Sequence, residues 1–206
     1  MRITTTPEFI DAIGRIVETV PAEAPTRDQR RVAALSYADD FAAIAEAFSR
    51  GDDTWFDDFR AAAETRALAD PDALRMIGDA RDRVGAQQVD SAFTQLFAAG
   101  TGSSALDSMV PALRAYDSDL TAEAVMGIGA AVLFGLAPWE YVPYHDASAS
   151  SFLRRLGTEP WPIDEPSDRY EQVIGALAIL LRVSRQADGP LRDLVDAQIA
   201  VDQLMR

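Results

Sequence analysis

Few residues of this chain could take part in catalysis. His145 is the only histidine, and the sequence contains no cysteine. A metal site of several imidazoles, a thiolate metal site and a thiol nucleophile are therefore excluded. A Ser–His–acid triad would have to combine His145 with a nearby serine such as Ser148, but closeness in sequence is not triad geometry. We therefore predict no enzymatic activity, no cofactor and no metal, and a surface or capping position for His145.

Adjacent carboxylates are a second candidate for chemistry. They occur at Asp39 and Asp40, at Asp52 and Asp53, and at Asp57 and Asp58. Two carboxylates can act as acid and base, or hold Mg²⁺, when their side chains converge. Neighbouring residues on a helix point about 100° apart, and a chain with 33 acidic residues contains such pairs by chance. Solvated helix faces are the better interpretation.

A phosphate-binding loop is also missing from the sequence. The glycine-rich segment 100–104, GTGSS, lacks the Gly-Lys-Ser/Thr ending of a P-loop, and the chain has no lysine. No predicted strand precedes Gly127 and Gly129, so this pair indicates close helix packing instead of a dinucleotide site. The chain therefore cannot carry the nucleotide-hydrolysing step of a Walker-type motor.

Arginine clusters are the remaining polar signal. Every basic residue is an arginine, and the net charge is −14. Such a charge repels nucleic acid at long range, so a DNA contact requires a local cluster of cations. Arginines in the last turn of a helix also complement the helix dipole without any ligand. The candidate contacts to nucleic acid or to a partner are Arg27, Arg30, Arg31, His145, Arg154, Arg155, Arg182 and Arg185.

Composition and length indicate the size of the domain that carries these residues and its expected location. With 206 residues, 48% hydrophobic and 25% charged, the chain suits one ordinary domain or two small helical subdomains. The first residues, MRITTTPEF, lack the apolar core of a signal peptide, and glycine or proline interrupts every apolar run well before about 18 residues. We therefore expect a cytoplasmic protein that does not contact a membrane.

The apolar pattern is helical along nearly the whole sequence. Apolar residues recur at helical spacing, and no strong alternation typical of strands occurs. The prediction is an all-α fold, an irregular domain of about nine helices, with two possible lobes. The loop 100–104 would divide an N-terminal helical lobe, residues 1–100, from a C-terminal helical lobe, residues 101–206.

Local signals predict where several helices begin or break. Thr6 and Asp70 each precede a proline and are predicted to cap a helix. The segment 26–29, TRDQ, has the form of a capping box and predicts a helix start at Thr26. Pro111 lies inside an apolar helical pattern, so we expect a break or a kink there.

The stretch 127–157 is predicted to form a buried joint between helices. Val132, Leu133 and Phe134 leave almost no polar face, so their helix should be surrounded by protein. Pro138 cannot extend that helix, Asp146 is placed to cap the next one, and Gly157 to end it in the left-handed conformation. The predicted structural joint consists of Pro138, Trp139, Tyr141, Pro143, Tyr144 and Gly157.

Three blocks of the C-terminal half resemble a known family. They are PWEYVPY at 138–144, Phe152 followed by Leu156 and Gly157, and LRDLVDAQ at 191–198. In the same order and spacing, they are similar to the helical region that precedes the motor module in McrB-like AAA+ GTPases of modification-dependent (type IV) restriction systems. The resemblance covers roughly residues 120–206. The family commonly has arginine at the position of His145.

The resemblance implies a non-catalytic targeting or coupling module of an anti-phage restriction system. Its partners would be the AAA+ GTPase motor or the nuclease subunit, with DNA as a further candidate. The alternative is an acidic protein-interaction module unrelated to DNA. In that module Trp55, Phe56 and Phe59, or Trp139 and Trp161, would anchor a partner if they were exposed.

Overall fold

The computed structural model describes residues 5–98 and 102–205, and that part of the chain contains helices and no strand. The helices are α1 Pro7–Thr19, α2 Pro25–Arg50, α3 Trp55–Thr65, α4 Pro71–Val84, α5 Ala86–Asp90, α6 Thr94–Phe97, α7 Leu106–Arg114, α8 Ala122–Leu136, α9 Asp146–Arg155, α10 Pro166–Gln186 and α11 Leu194–Leu204, with 3₁₀ turns at Ser91–Phe93 and Gly102–Ala105. The predicted all-α fold of about nine helices is confirmed.

Two of the predicted helix starts are confirmed by side-chain caps. The hydroxyl of Thr6 accepts a hydrogen bond from the backbone N–H of Phe9 at 3.2 Å, at the start of α1. The carboxylate of Asp70 accepts one from the backbone N–H of Ala73 at 3.0 Å, at the start of α4. Proline occupies the first turn of both helices, where its missing N–H costs nothing.

The predicted capping box at Thr26 is wrong. Helix α2 already begins at Pro25, and the residue before it, Ala24, makes no capping hydrogen bond. Proline is favoured at the first helical position because its backbone angle suits a helix. Thr26 therefore lies inside the first turn, where it cannot act as the cap.

The predicted break at Pro111 is wrong, since α7 runs through this residue to Arg114, and the alternative of a kink stays a prediction. Leu106, Met109 and Leu113 of α7 are buried in the core. Proline removes one helical hydrogen bond. We attribute the continuity of α7 to the packing of these apolar side chains on both sides of the proline.

Helix α8 lies at the centre of the core, as the sequence predicts. Its residues are buried from Val125 to Gly135, and the helix packs against α2 and α7. A Cβ atom on Gly135 would lie 2.3 Å from the ring of Phe41, and one on Gly129 would lie 2.4 Å from Leu106. These glycines therefore permit close helix packing, which confirms the interpretation of Gly129.

Trp55, Phe56 and Phe59 belong to the core and not to the surface. Their exposed fractions are 1%, 0% and 0%, and the indole N–H of Trp55 donates to the carboxylate of Asp90 at 2.8 Å. The same carboxylate binds Arg81, whose guanidinium lies against the Trp55 ring. The condition for these aromatic residues to anchor a partner is therefore not met.

Helices α1, α10 and α11 bring the N-terminal and C-terminal parts of the chain together. Helix α1 packs on α10, and α11 packs on both α2 and α10. None of the described helices is long and apolar enough to cross a membrane. Residues 99–101, which include the first two residues of the predicted boundary loop 100–104, lie outside the described residues, so the division into two lobes stays a prediction.

Candidate functional site

The first arginine cluster, on α2, faces carboxylates of the C-terminal segment. Nε of Arg27 lies 2.9 Å from Oδ1 of Asp196, and the two side chains are only 3% and 0% exposed. The Nε–H of Arg27 makes no hydrogen bond, so this contact is an ion pair without ideal alignment. Nε of Arg31 donates to Asp193 at 2.8 Å. Both arginines therefore join α2 to α11 and are not available to a ligand.

The segment 191–198 provides the other side of this interface. Asp193 caps α11 through the backbone N–H of Asp196 at 2.9 Å. Arg192 donates to Asp196 at 3.0 Å and also contacts Asp28 of α2. Burial alone would raise the pKa of Asp193, but hydrogen bonds from Arg31 and the Asp196 backbone lower it overall. Arg192, Asp193 and Asp196 of the LRDLVDAQ block therefore have structural roles at this interface.

The predicted joint is held in place by α10. The Tyr170 hydroxyl donates to the carbonyl of Val142 at 2.6 Å and accepts from its N–H at 3.1 Å, in a fully buried position. Burial raises the pKa of the Tyr170 phenol well above its usual value. The hydroxyl of Tyr144 accepts a hydrogen bond from Arg169 at 2.9 Å. Two side chains of α10 therefore hold the Pro-aromatic segment, Tyr170 through the backbone of Val142 and Arg169 through the hydroxyl of Tyr144.

Asp146 does not cap α9, contrary to the sequence prediction. It is the first residue of the helix, His145 precedes it, and no side chain caps that end. The carboxylate of Asp146 binds Arg169 and accepts from the hydroxyl of Tyr144. A charged hydrogen bond to a guanidinium is stronger than one to a backbone N–H, so the tertiary partner takes precedence.

The end of α9 is as predicted. Gly157 has a φ of 73°, in the left-handed region, and its N–H bonds the carbonyl of Arg154 at 2.9 Å. The N–H of Thr158 bonds the carbonyl of Leu153 at 3.0 Å. These two bonds form the C-terminal motif in which glycine is preferred. Arg154 and Arg155 are both exposed, and Arg154 has only a loose ion pair, 3.9 Å long, to Glu159.

Trp139 differs from the rest of the joint because its side chain points to solvent. It is 68% exposed, the most exposed of the large hydrophobic residues in the described chain. The N–H groups of Glu140 and Tyr141 both bond the carbonyl of Ala137, so Trp139 lies in a tight turn. This turn presents the indole on the surface, whereas Tyr144 remains buried.

A surface groove joins Trp139 to the late arginines of α10, and we call it the Trp139 groove. Its volume is about 620 Å³, and it is lined by Trp139, Ala178, Leu181, Arg182, Arg185, Gln186, Asp193 and Leu194. Arg185 donates to the carbonyl of Arg192 at 2.6 Å, and both Arg182 and Arg185 are exposed. Neither forms an ion pair with a residue of the described chain. Both guanidinium charges remain available to a ligand.

His145 lies at a second cavity, of about 360 Å³, between α2, α11 and the turn after α3. Its Nε2 atom lies 3.8 Å from Oδ2 of Asp202, and Nη2 of Arg30 lies at the same distance from that oxygen. The Ser148 hydroxyl bonds the Asp202 carboxylate, and no hydrogen bond joins it to His145 within the described residues. The geometry therefore provides a His–Asp pair without a serine nucleophile beside the imidazole.

The most informative polar residues of these sites are ones that the sequence analysis did not select. Asp196, Asp202, Arg169 and Tyr170 are all buried, and each one binds a residue far away in the sequence. One signal was available for Asp196 and Asp202, since both interrupt the apolar pattern of α11. A carboxylate in such a position requires a polar partner from another helix.

Comparisons with known proteins do not add to this geometry. No protein-family model, no curated protein and no solved structure matches the chain.

Proposed function

We propose that this chain is a non-enzymatic helical module that docks on a protein partner of a McrB-like anti-phage restriction system, the AAA+ GTPase motor or the nuclease subunit. The observation that carries the proposal is the exposed indole of Trp139 in one groove with Arg182 and Arg185. Tryptophan and arginine are enriched among the residues that dominate binding energy at protein interfaces. The resemblance of residues 120–206 supplies the class of partner.

The chemistry of the groove favours an acidic partner segment with an apolar side chain. Leu181, Leu194 and the indole of Trp139 provide apolar surface, and Arg182 and Arg185 provide positive charge next to it. The rest of the protein carries a large negative charge, so this local positive patch selects where an acidic segment can approach.

DNA is the less favoured occupant of this surface. Binding to DNA depends on several cations that each neutralise a phosphate. Arg27 and Arg31 of the first cluster already bind carboxylates of α11. The groove offers two arginines, Arg182 and Arg185, on a chain with a net charge of −14. This number of free cations is small for a nucleic-acid interface.

Affinity capture with a matched pair of variants tests the proposal. The full-length protein, Trp139→Ala and Val32→Ala are used to capture partners from native lysate, with identification by mass spectrometry. Val32 is the control because it is also a large exposed apolar residue, 64% exposed, and does not line the Trp139 groove. The wild type and Val32→Ala should recover an AAA+ motor or a nuclease, and Trp139→Ala should reduce recovery about tenfold or more.

Two outcomes would contradict the proposal. Undiminished recovery of the motor or nuclease by Trp139→Ala would place the interface elsewhere, and recovery of unrelated proteins alone would favour the general interaction module. A second assay measures binding to modified and unmodified DNA duplexes at several salt concentrations. Salt-dependent binding that Arg182→Glu with Arg185→Glu abolishes, and Arg155→Glu does not, would assign the groove to DNA.

A further inference from the structure

The cavity beside His145 has the construction of a small-molecule site. Its volume of about 360 Å³ lies in the range of ligand pockets. The Trp139 groove contributes none of its residues. Most of its wall is apolar and is formed by Ala33, Ala34, Leu68, Pro143, Val195 and Ile199.

Several of the polar side chains that line the cavity meet around Asp202. Arg30 from α2 and His145 each lie 3.8 Å from Oδ2 of Asp202. This separation is too long for a direct hydrogen bond, and neither side chain donates one to another residue of the described chain. Their side chains are 31% and 32% exposed, so both can be reached by a ligand. The guanidinium of Arg30 and the imidazole of His145 can therefore both donate hydrogen bonds to a ligand.

Asp202 also has partners other than Arg30 and His145. Its Oδ1 accepts from the amide of Gln198 at 2.9 Å, and the Ser148 hydroxyl also bonds the carboxylate. Burial raises the pKa of Asp202, against the opposing effects of His145 and Arg30. A raised pKa means that the ionised form of Asp202 is less stable in the folded protein than it would be in water. This makes proton uptake by Asp202 easier when a second anion enters the cavity.

Gln198 has an unpaired acceptor at the same end of the cavity. Gln198 is 2% exposed and lines the cavity, and its buried Oε1 accepts no hydrogen bond. Buried polar atoms without a partner are rare and call for an explanation such as a water or a ligand. Arg30 and His145 lack an acceptor, which a carboxylate would supply, whereas Oε1 of Gln198 lacks a donor and bears on binding only through a water or a second group of the ligand.

We propose that this cavity binds a small organic monocarboxylate. Its carboxylate lies between Arg30 and His145, and its hydrocarbon part lies against the apolar wall that includes Ala34, Val195 and Ile199. A single negative charge matches the two donors, whereas a phosphate dianion would place more charge beside Asp202. This site is separate from the partner surface at Trp139 and does not depend on the proposed function.

The lone histidine provides a direct measurement. His145 is the only histidine, so its imidazole signals in a proton NMR spectrum need no assignment by mutation. Hexanoate and benzoate are titrated into the full chain, with hexanamide and benzamide as neutral controls of the same shape and inorganic phosphate as a control anion. The carboxylates should shift the His145 signals with saturation at millimolar concentration or below, and the amides should not.

Two variants distinguish a specific site from general anion binding. Arg30→Met removes one donor and should weaken carboxylate binding about tenfold, the size expected for a hydrogen bond to a charged group. Arg154→Met removes an exposed arginine outside the cavity and should leave binding unchanged. Equal shifts from acids and amides, equal shifts from phosphate, no shift at all, or unchanged binding in Arg30→Met would each overturn the proposal.

Discussion

Arg27 and Arg31 near the start of α2, and Arg182 and Arg185 near the end of α10, look alike in the sequence but have different surroundings. The α2 pair binds Asp196 and Asp193 of the C-terminal segment, and Arg27 is almost completely buried. The α10 pair is exposed beside Trp139 and forms no ion pair within the described chain. The difference shows that an arginine cluster indicates a ligand only after its internal carboxylate partners have been identified.

The two clusters also differ in how much the removal of one charge should lower the stability of the fold. A buried ion pair is held by its geometry and loses several kcal/mol when one partner is removed, because the other charge remains buried alone. An exposed arginine contributes little to folding. The α2 cluster should therefore determine stability, and the α10 cluster should determine binding.

The largest effect should come from Arg27→Met. The substitution keeps much of the side-chain volume but leaves the buried carboxylate of Asp196 with only Arg192 as an ion-pair partner. We expect the free energy of unfolding to fall by about 3 kcal/mol, measured by urea denaturation. Arg182→Met is the matched control and should change it by less than about 0.5 kcal/mol. Equal effects of the two substitutions would remove the distinction between the clusters.

A smaller effect is expected at Asp193, which belongs to both regions. It binds Arg31 and caps α11, and it also lines the Trp139 groove. Asp193→Asn keeps an oxygen for the cap but loses the ion pair. Because the pair is partly exposed, we expect a loss of at most about 1 kcal/mol at neutral pH.

The pH dependence identifies the source of that loss. The pKa of Asp193 is lowered in the folded protein, where Arg31 and Arg192 supply the positive charges. A lowered folded-state pKa gives stability that is present above the unfolded pKa and lost as the pH falls through the folded value. The difference between wild type and Asp193→Asn should therefore be fully present above the unfolded pKa of about 3.9 and should shrink as the pH falls below it. A difference that persists there would assign the effect to the cap.

The features predicted from sequence are those that depend on neighbouring residues. The caps at Thr6 and Asp70 and the left-handed turn at Gly157 each need only a few adjacent residues. The all-α class follows from apolar spacing along each helix. The buried character of α8 follows from its own composition, since it has almost no polar face. Local chemistry is sufficient for these features.

The features that were missed depend on contacts between distant residues. Arg31 meets Asp193 across 162 positions, and Tyr37 donates to the carbonyl of Ala131 across 94. Asp146 reads as a cap because the sequence does not show that Arg169 lies beside it. The cavity at His145 is formed by α2, α11 and the turn after α3, so no single stretch of sequence contains its pattern. Tertiary packing decided each of these positions.

The smallest effect on stability should come from Arg30→Met. This variant tests whether Arg30 differs from the other two arginines of the α2 cluster, Arg27 and Arg31. Arg30 lies 3.8 Å from Asp202 and is partly exposed, so we expect a loss of no more than about 0.5 kcal/mol. Four side chains face the carboxylate of Asp202, namely Arg30 from α2, His145 and Ser148 at α9, and Gln198 from α11.

The direction of the pH effect follows from the raised pKa of Asp202, which results mainly from burial and which Arg30 opposes. A carboxylate with a raised folded-state pKa stabilises the protein most below its unfolded pKa, and this stability is lost as the pH rises through the folded value. Without Arg30 the pKa rises further, so the loss in Arg30→Met should be larger at pH 8 than at pH 4, as measured by urea denaturation. A loss as large as that of Arg27→Met would mean that Arg30 also belongs to the buried interface and cannot serve a ligand.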